Sequence, residues 1–599
     1  MKKSVIILFI FLLVFTPVRG VLGQQDSVDS LKIGISRDEF TINPYTYNTG
    51  YPGLDMMQLV YDTMFHLDEE LIPQPWLVKE YKISEDALTY DFILNENIKW
   101  HDGELLTAED IKFTVEYFTE YPKARFTNPL RVIEKIEVHD ATSLTFILSQ
   151  PDPNFVVGPL SDVPILPQHI WKDITNPDEE SNQSIGSGPY IFVEHRSDQF
   201  IKIKANHDYH KGKPTINEII FPIIADTTAM FTALRGNQLD AIAPSLTPEL
   251  VDQFESDQNI KVVTGPGFSS TLFHINASKY PMSETSFRQA IKYAIDPKYL
   301  VDTVLLGYGQ VASPGWIHPA SQFFNNEVTQ YKTDVEKAKQ LLEEAGFVDR
   351  DGDGFREGQN GEKIELFSIV PSNNPVRVRT GEIITEWLTD IGINVKVRAM
   401  DNETAVERMW PSFDVTQGRD YDLGMFGWSA PVQLTPDRMI DLFHSDLSLG
   451  SLNLGAYSNL EFDNLATKLK EEIDPEEREK IIHEMQLLVA DDFPIATLFF
   501  NDVINAYNPN VYDGYTFQAG KGIIHKLSFV TTGDEKEVPV SSDKETPKNT
   551  DQKEKNDKDK KDEGSNSNNN LFILLGFVIV IAATGFYIKK KSGAIDKSV

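Results

Sequence analysis

The sequence predicts a mixed α/β body over residues 24–530, and three observations carry that prediction. Segments alternating apolar and polar residues, as half-buried strands do, are interleaved with segments whose apolar residues recur at helical spacing. The interleaving argues α/β or α+β, and no repeat period runs through it. At 599 residues the chain has room for three or four domains of roughly 150 residues each.

Taken in order, Tyr90, Phe92 and Leu94 alternate with polar neighbours and predict a strand. Thr107 with Asp110 resembles a capping box ahead of the apolar stripe Ile111, Val115 and Phe118. Leu144, Phe146 and Leu148, then Ile201 and Ile203, predict two further half-buried strands. Ser286 with Gln289 precedes Ile291, Ala294 and Ile295, and Thr333 with Glu336 precedes Leu341, Leu342 and Ala345, so helices are expected to start at both. Gly346 suits the left-handed stop of the last one. These stripes read as core packing.

The two ends carry different signals. Lys2 and Lys3 precede an apolar run from Val5 to Phe15, and Val21 and Gly23 complete a cleavage pattern. Residues 1–23 therefore read as a secretory signal, with the mature chain starting at Gln24. Near the other end, Leu571 to Ile588 is free of charge and stops at Lys589, Lys590 and Lys591, the pattern of a transmembrane helix with a cytoplasmic tail, 589–599. Residues 531–570 hold Val538 and Val540 as their only large apolar residues and read as a disordered tether with a reach on the order of 35 Å.

The net charge is -34, and the acidity lies between these two basic ends. Such a surface repels phosphate backbones, so no nucleic acid is expected as a partner. The chain has no cysteine. Disulfide frameworks, thiol nucleophiles, thiolate metal sites and a lipid-modified N-terminal cysteine are thereby excluded.

The run Trp100, His101, Asp102, Gly103 through Leu106, Thr107, Ala108, Glu109 and Asp110 resembles the signature of the family 5 extracellular solute-binding proteins. Gly186 to Tyr190 is similar to the family's Gly-Thr-Gly-Pro-Tyr turn, and Asn206, Asp208, Tyr209, Gly212, Lys213 and Pro214 resemble the family segment next to that turn. Ala233, Leu234, Gly236, Leu239 and Asp240, then Arg288 to Ala290 and Tyr293 to Asp296, continue the pattern. Gly427, Trp428, Asn459, Phe462, Asp463, Arg478 and Gln486 complete it in order, over about residues 32–517.

The resemblance implies a periplasmic-binding-protein type II-like, two-lobed α/β clasp with an extra N-terminal subdomain, here joined to the C-terminal transmembrane helix. Expected boundaries are 24–58, 183–269 and 495–530 for lobe I, 59–182 for the extra subdomain and 270–494 for lobe II. It further implies a membrane-anchored receptor of an ABC importer, body outside the cell, that closes on a peptide and delivers it to permease subunits served by a separate ATPase. An oligosaccharide is the alternative ligand, a nickel chelate a third, and a tethered sensor without transport an alternative of another class.

Bottom-up, Asp102 and Gly103 read as a turn, and His101 lacks a second ligand at metal spacing, so the signature reads as a folding landmark. For the ligand, the family's ligand-facing segment falls on Gly427, Trp428, Ser429 and Ala430, with Trp428 as a wall. Asn43, Pro44, Tyr45 and Tyr47 form a second candidate lip. Peptide receptors of the family carry an Asp soon after the Trp to meet the ligand's ammonium. This chain runs Ser429, Ala430, Pro431 and onward to Asp437, so either Asp437 or another acid substitutes, or the ligand is not held by a free amino end.

Asp349, Asp351, Asp353, Gly354 and Glu357 occupy positions 1, 3, 5, 6 and 9 of a calcium loop, but position 12 is Asn360 and Arg356 stands where an apolar residue is usual. A structural Ca²⁺ and a metal-free turn both fit; no cofactor is required. No His-Glu-x-x-His, Gly-x-Ser-x-Gly or phosphate loop is present, so an enzyme is not expected, an exported hydrolase built on an acid pair being the residual alternative.

Overall fold

A computed structural model describes residues 28–46, 52–179, 184–321, 323–372, 374–428 and 436–530. The expected signal peptide, tether, transmembrane helix and tail lie outside the described residues. Among the described residues no helix is long and apolar enough to cross a membrane.

Among the described residues, three sheets of four or more strands organise the fold, beside a short pair of strands, Phe65–Leu67 and Pro73–Pro75. A seven-stranded sheet runs in the order Lys261–Gly265, Val503–Tyr507, Ala241–Ile242, Val28–Gly34, Ile216–Pro222, Phe200–Ala205, Tyr190–Arg196. Its central strand Val28–Gly34 is parallel to both neighbours and carries the fully buried Leu31 and Ile33. A six-stranded sheet runs Gly309–Val311, Ile495–Asn501, Ser270–Ile275, Leu423–Phe426, Leu366–Pro371, Val395–Met400. These are the centres of two α/β lobes. A four-stranded antiparallel sheet, Val78–Ile83, Thr89–Leu94, Ser143–Leu148 and Ile133–Val138, forms the extra subdomain. There Tyr90, Phe92, Leu94, Leu144, Phe146 and Leu148 all face inward, as their alternation requires.

The strand Ile495–Asn501 departs from the expected boundary at 495. It pairs with Ser270–Ile275, His274 opposite Ile495, so the chain re-enters the first lobe only at Asp502. Both strands on either side of Asp502 are apolar and buried, and only pairing decides which sheet each joins.

Two segments cross between the lobes, Gly265 to Ser270 and Asn501 to Val503, and they run side by side. Gly265 pairs antiparallel with Val503, and Asn501 N–H donates to Ser269 O at 3.2 Å. A side chain at Gly267 would sit 2.1 Å from Asn501 O, so glycine is what lets the strands approach.

The extra subdomain is fused to the first lobe. One apolar core contains Leu31, Ile33 and Ile201 of the lobe together with Phe118, Phe126 and Trp171 of the subdomain. Beside it, Asp62 lies fully buried and accepts from Tyr209 Oη at 3.0 Å, Trp76 Nε1 at 3.1 Å and Ser187 Oγ at 3.2 Å, and pairs with the Lys526 ammonium. Burial alone would raise Asp62, but Lys526 and His210 outweigh it and hold the carboxyl below its usual range. The second lobe has its own cores, one including Ile291, Val370 and Ile384, another Trp316, Phe443 and Met485.

The helix starts are partly as expected. Thr107 N–H donates to Asp110 Oδ2 at 2.8 Å, closing the capping box of the helix Ala108–Glu120. The other two begin differently. The helix Thr285–Ala294 starts after Glu284, and Gln289 reaches Asp491 O at 3.1 Å instead of its own N-terminus. The helix Val335–Glu344 is capped by Asp334, which accepts from Lys337 N–H at 2.9 Å, while Thr333 Oγ1 donates to Ile295 O. A charged carboxylate one residue on is the stronger acceptor. Gly346 comes next with φ +88°, the left-handed stop.

Candidate functional site

The two glycine-bearing motifs of the extra subdomain and first lobe bind each other. His101 Nε2 donates to Gly188 O at 3.0 Å and Nδ1 accepts from Gly186 N–H at 3.2 Å. Burial lowers His101, so the imidazole is neutral and can do both at once. Added side chains at Gly186 and Gly188 would fall 2.0 and 2.6 Å from the backbone of Val60 and Leu59. This is a structural joint.

The expected ligand segment starts where the strand Leu423–Phe426 ends. Trp428 N–H donates to Ser270 Oγ at 3.1 Å, and Ser270 N–H donates back to Trp428 O at 3.0 Å, which pins the segment to the crossing strand. The Trp428 ring is mostly buried, edge-on to Phe426 at 5.1 Å and Trp410 at 5.7 Å. Gly427 is required there, because a side chain would sit 2.1 Å from Ser270 O and 2.5 Å from the Arg377 guanidinium. Ser429 and Ala430 lie outside the described residues.

Arg377 is the group that sequence reasoning missed. Asn374 caps the helix Pro375–Asp390, accepting from Arg377 N–H at 3.0 Å, and so sets Arg377 in the first turn. Its guanidinium lies 5.9 Å from the Phe426 ring centroid. Among the described residues it pairs with no carboxylate, and its buried Nε has no hydrogen-bond partner. Burial lowers its pKa. The neighbouring His274 is 2% exposed, and burial first, then Arg377, lowers it to about 3, so it is neutral. A half-buried guanidinium that has no carboxylate partner among the described residues is chemically suited to pair with an anion. The Asn-Pro pair signalled the helix start, but only the fold puts that turn beside Gly427.

The other expected site residues fall elsewhere. Tyr45 is a core ring, 2% exposed, stacked on Phe118 at 5.3 Å and against Trp171 at 5.6 Å, with its hydroxyl donating to Tyr121 O at 2.7 Å. Asn43 is fully buried and accepts from Tyr45 N–H at 2.8 Å. These two therefore support the first lobe from within instead of forming a lip, and Tyr47 lies outside the described residues. Asp437 is engaged by Arg478, whose Nη2 approaches its two oxygens at 3.0 and 3.2 Å, and it also accepts from Asn154. An incoming ammonium would have to compete with that guanidinium.

The acidic loop is formed. Donor oxygens of Asp349, Asp351, Asp353 and Glu357 lie within 4.8 Å of one another, and Gly352 and Gly354 have φ of +80° and +92°. Four carboxylates in that space suit a hard cation. Lys363 already sits among them, 2.7 Å from Asp351 and 3.0 Å from Asp353, and Asp349 accepts from Gly352 and Gly354 N–H. Arg356, at the position usually apolar, donates to Ile391 O and Phe347 O and ties the loop to the lobe.

Comparison with known proteins agrees with this architecture. The profile of the bacterial extracellular solute-binding proteins, family 5 middle, matches residues 73–448. The oligopeptide-binding protein AppA of Bacillus subtilis is 29% identical over 508 residues, covering 83% of this chain and 90% of AppA. The crystal structure of AppA in complex with a nonapeptide superposes with a TM-score of 0.69 at 27% identity, over 84% of this chain and 99% of that one. The ABC transporter substrate-binding protein CtaP of Listeria monocytogenes superposes with a TM-score of 0.74 at 25% identity, over 84% and 100%.

Proposed function

The chain belongs to the family 5 bacterial extracellular solute-binding proteins, and from that premise we propose that it captures a peptide between its two lobes and hands it to an ABC permease. The observation that carries the peptide reading is Arg377. A peptide brings a terminal carboxylate, and a half-buried guanidinium beside Gly427 and Phe426, with no carboxylate partner among the described residues, offers it a charge-assisted pair. A neutral oligosaccharide would leave that cation unpaired. AppA, similar over most of its length, is an oligopeptide-binding protein, which supports the same class.

Capture proceeds by closure, a population shift set by contacts the ligand makes only when both lobes touch it. Trp428 supplies an apolar wall, and Arg377 orients the chain end. Asp437 is committed to Arg478, so the ligand's amino end is not the anchoring group in this reading. The receptor is exported by residues 1–23 and held at the cell surface by Leu571 to Ile588, body outside and residues 589–599 inside, with 531–570 as the leash. ATP hydrolysis belongs to a separate subunit.

The test is calorimetric titration of residues 24–530 with a nonapeptide, as the free acid and as the C-terminal amide. The free acid should bind at least about tenfold more tightly, the worth of a charge-assisted pair. Equal affinity, or binding of neutral oligosaccharide but of neither peptide, would sink the peptide reading.

A further inference from the structure

The extra subdomain and the second lobe touch through a small polar cluster remote from the crossing strands in sequence. Asn154 sits in the turn between the strand Ser143–Leu148 and the short helix Pro159–Asp162 of the extra subdomain. Asp437 is the residue before the helix Arg438–Phe443 of the second lobe. Asn154 Nδ2 donates to Asp437 Oδ2 across 283 positions of sequence.

Both partners are held from behind. On the subdomain side, Asn154 N–H donates to Asp152 Oδ1 at 2.9 Å and Asn154 O accepts from Gly158 N–H at 2.7 Å, fixing the turn. On the lobe side, Arg478 from the helix Pro475–Asp492 holds Asp437 at 3.0 and 3.2 Å. Arg478 is itself 6% exposed and donates through Nη1 to Leu469 O and to Glu472 O at 3.0 Å. The carboxylate is thus aimed, and its remaining acceptor capacity is turned toward the subdomain.

The two partners belong to bodies with separate cores. Phe118, Phe126 and Trp171 of the subdomain join the core of the first lobe, its sheet packs a core of its own that includes Phe155 beside Asn154, and Asp437 and Arg478 sit on the second lobe. Any swing of one lobe about the crossings at Gly265 to Ser270 and Asn501 to Val503 must break this contact.

We propose that Asn154 and Asp437, backed by Arg478, form a latch between the extra subdomain and the second lobe that sets the open-to-closed balance of the cleft. The extra subdomain thereby acts as the second jaw. The latch rests on the closure reading for its purpose, but its test needs no ligand.

The chain has no cysteine, so nitroxide labels can be placed at Glu134→Cys in the subdomain and Glu461→Cys in the second lobe, both exposed. Pulsed electron resonance on the ligand-free protein then reads the distance between the bodies. The doubly labelled parent should show a short-distance population. Asn154→Ala should shift the open-to-closed ratio by about tenfold, the worth of a hydrogen bond to a charged group. Asn154→Asp, which sets a second carboxylate against Asp437, should shift it further. Asn154 lies in a partly exposed turn, and thermal melting checks that each variant is folded. Identical distance distributions in all three proteins, or a parent lacking the short distance, would overturn the latch. Failure of every peptide to bind would instead sink the receptor reading, and these distances would still decide the latch.

Discussion

Removing the charge of Asp62 should unfold the joint between the extra subdomain and the first lobe. Asp62→Asn preserves shape and can still accept from Tyr209 and Trp76, but it leaves the Lys526 ammonium, 2% exposed, without its counter-charge. Breaking one side of a buried pair costs about 3–5 kcal/mol. Lys526 has an escape, because burial already lowers its pKa and it can lose its proton. Neutralising an ordinary lysine at pH 7 costs about 4–5 kcal/mol, at 1.36 kcal/mol per pH unit, which caps the penalty. The expected loss is therefore about 3–4 kcal/mol. Urea unfolding monitored by tryptophan emission measures it, since Trp76 lies in the cluster. Adding Lys526→Met should restore most of the loss, as apolar replacement of a buried pair usually does. Acid provides a second reading. The Asp62 carboxyl is depressed in the folded state, so its contribution is complete above the unfolded value near 4 and disappears as pH falls below it, a slope the Asn variant should lack. A loss under about 1 kcal/mol, or no rescue by Lys526→Met, would refute the reasoning.

Arg377→Leu should weaken binding of a free-acid nonapeptide by about tenfold or more and leave the amide unaffected, read by calorimetry. Trp428→Ala should weaken both forms, since it removes a ring that holds no charge. His101→Ala leaves Gly186 N–H without its acceptor, while Gly188 O keeps Asn206 Nδ2 at 3.1 Å, and should cost about 1–2 kcal/mol in urea unfolding, with no effect on the free-acid preference. Lys363→Ala frees Asp351 and Asp353 and should raise Ca²⁺ affinity several-fold in a calorimetric titration; equal affinities would mean that Lys363 does not compete for the loop.

What the sequence revealed was decided locally. The alternation of Tyr90, Phe92 and Leu94 fixes which face of a strand is buried, and Thr107 with Asp110 closes a box within four residues. The helix starts expected at Ser286 and Thr333 were displaced by one or two residues; at Thr333 the neighbouring Asp334 takes the backbone N–H of Lys337, whereas the helix after Glu284 has no side-chain cap, and Gln289 turns to Asp491. The fold class came from motifs that are themselves joints, as His101 with Gly186 and Gly188 demonstrates. The site was harder because its residues acquire roles from distant partners. Tyr45 looks like a lip until its hydroxyl meets Tyr121, 76 positions away. Asp437 looks available until Arg478 takes it, 41 positions away. Arg377 looks like any exposed-helix arginine until the strand carrying Gly427 is laid beside it.

The paired crossings at Gly265 and Val503 constrain more than the route of the chain. A single tether would let one lobe twist as well as tilt, whereas two strands hydrogen-bonded edge to edge behave as a ribbon, compliant across its flat face and stiff in torsion. Relative motion then has essentially one coordinate. In the closure proposed above, every residue facing the cleft would then return to the same opposite number, so shape complementarity could accumulate between surfaces encoded far apart in the chain.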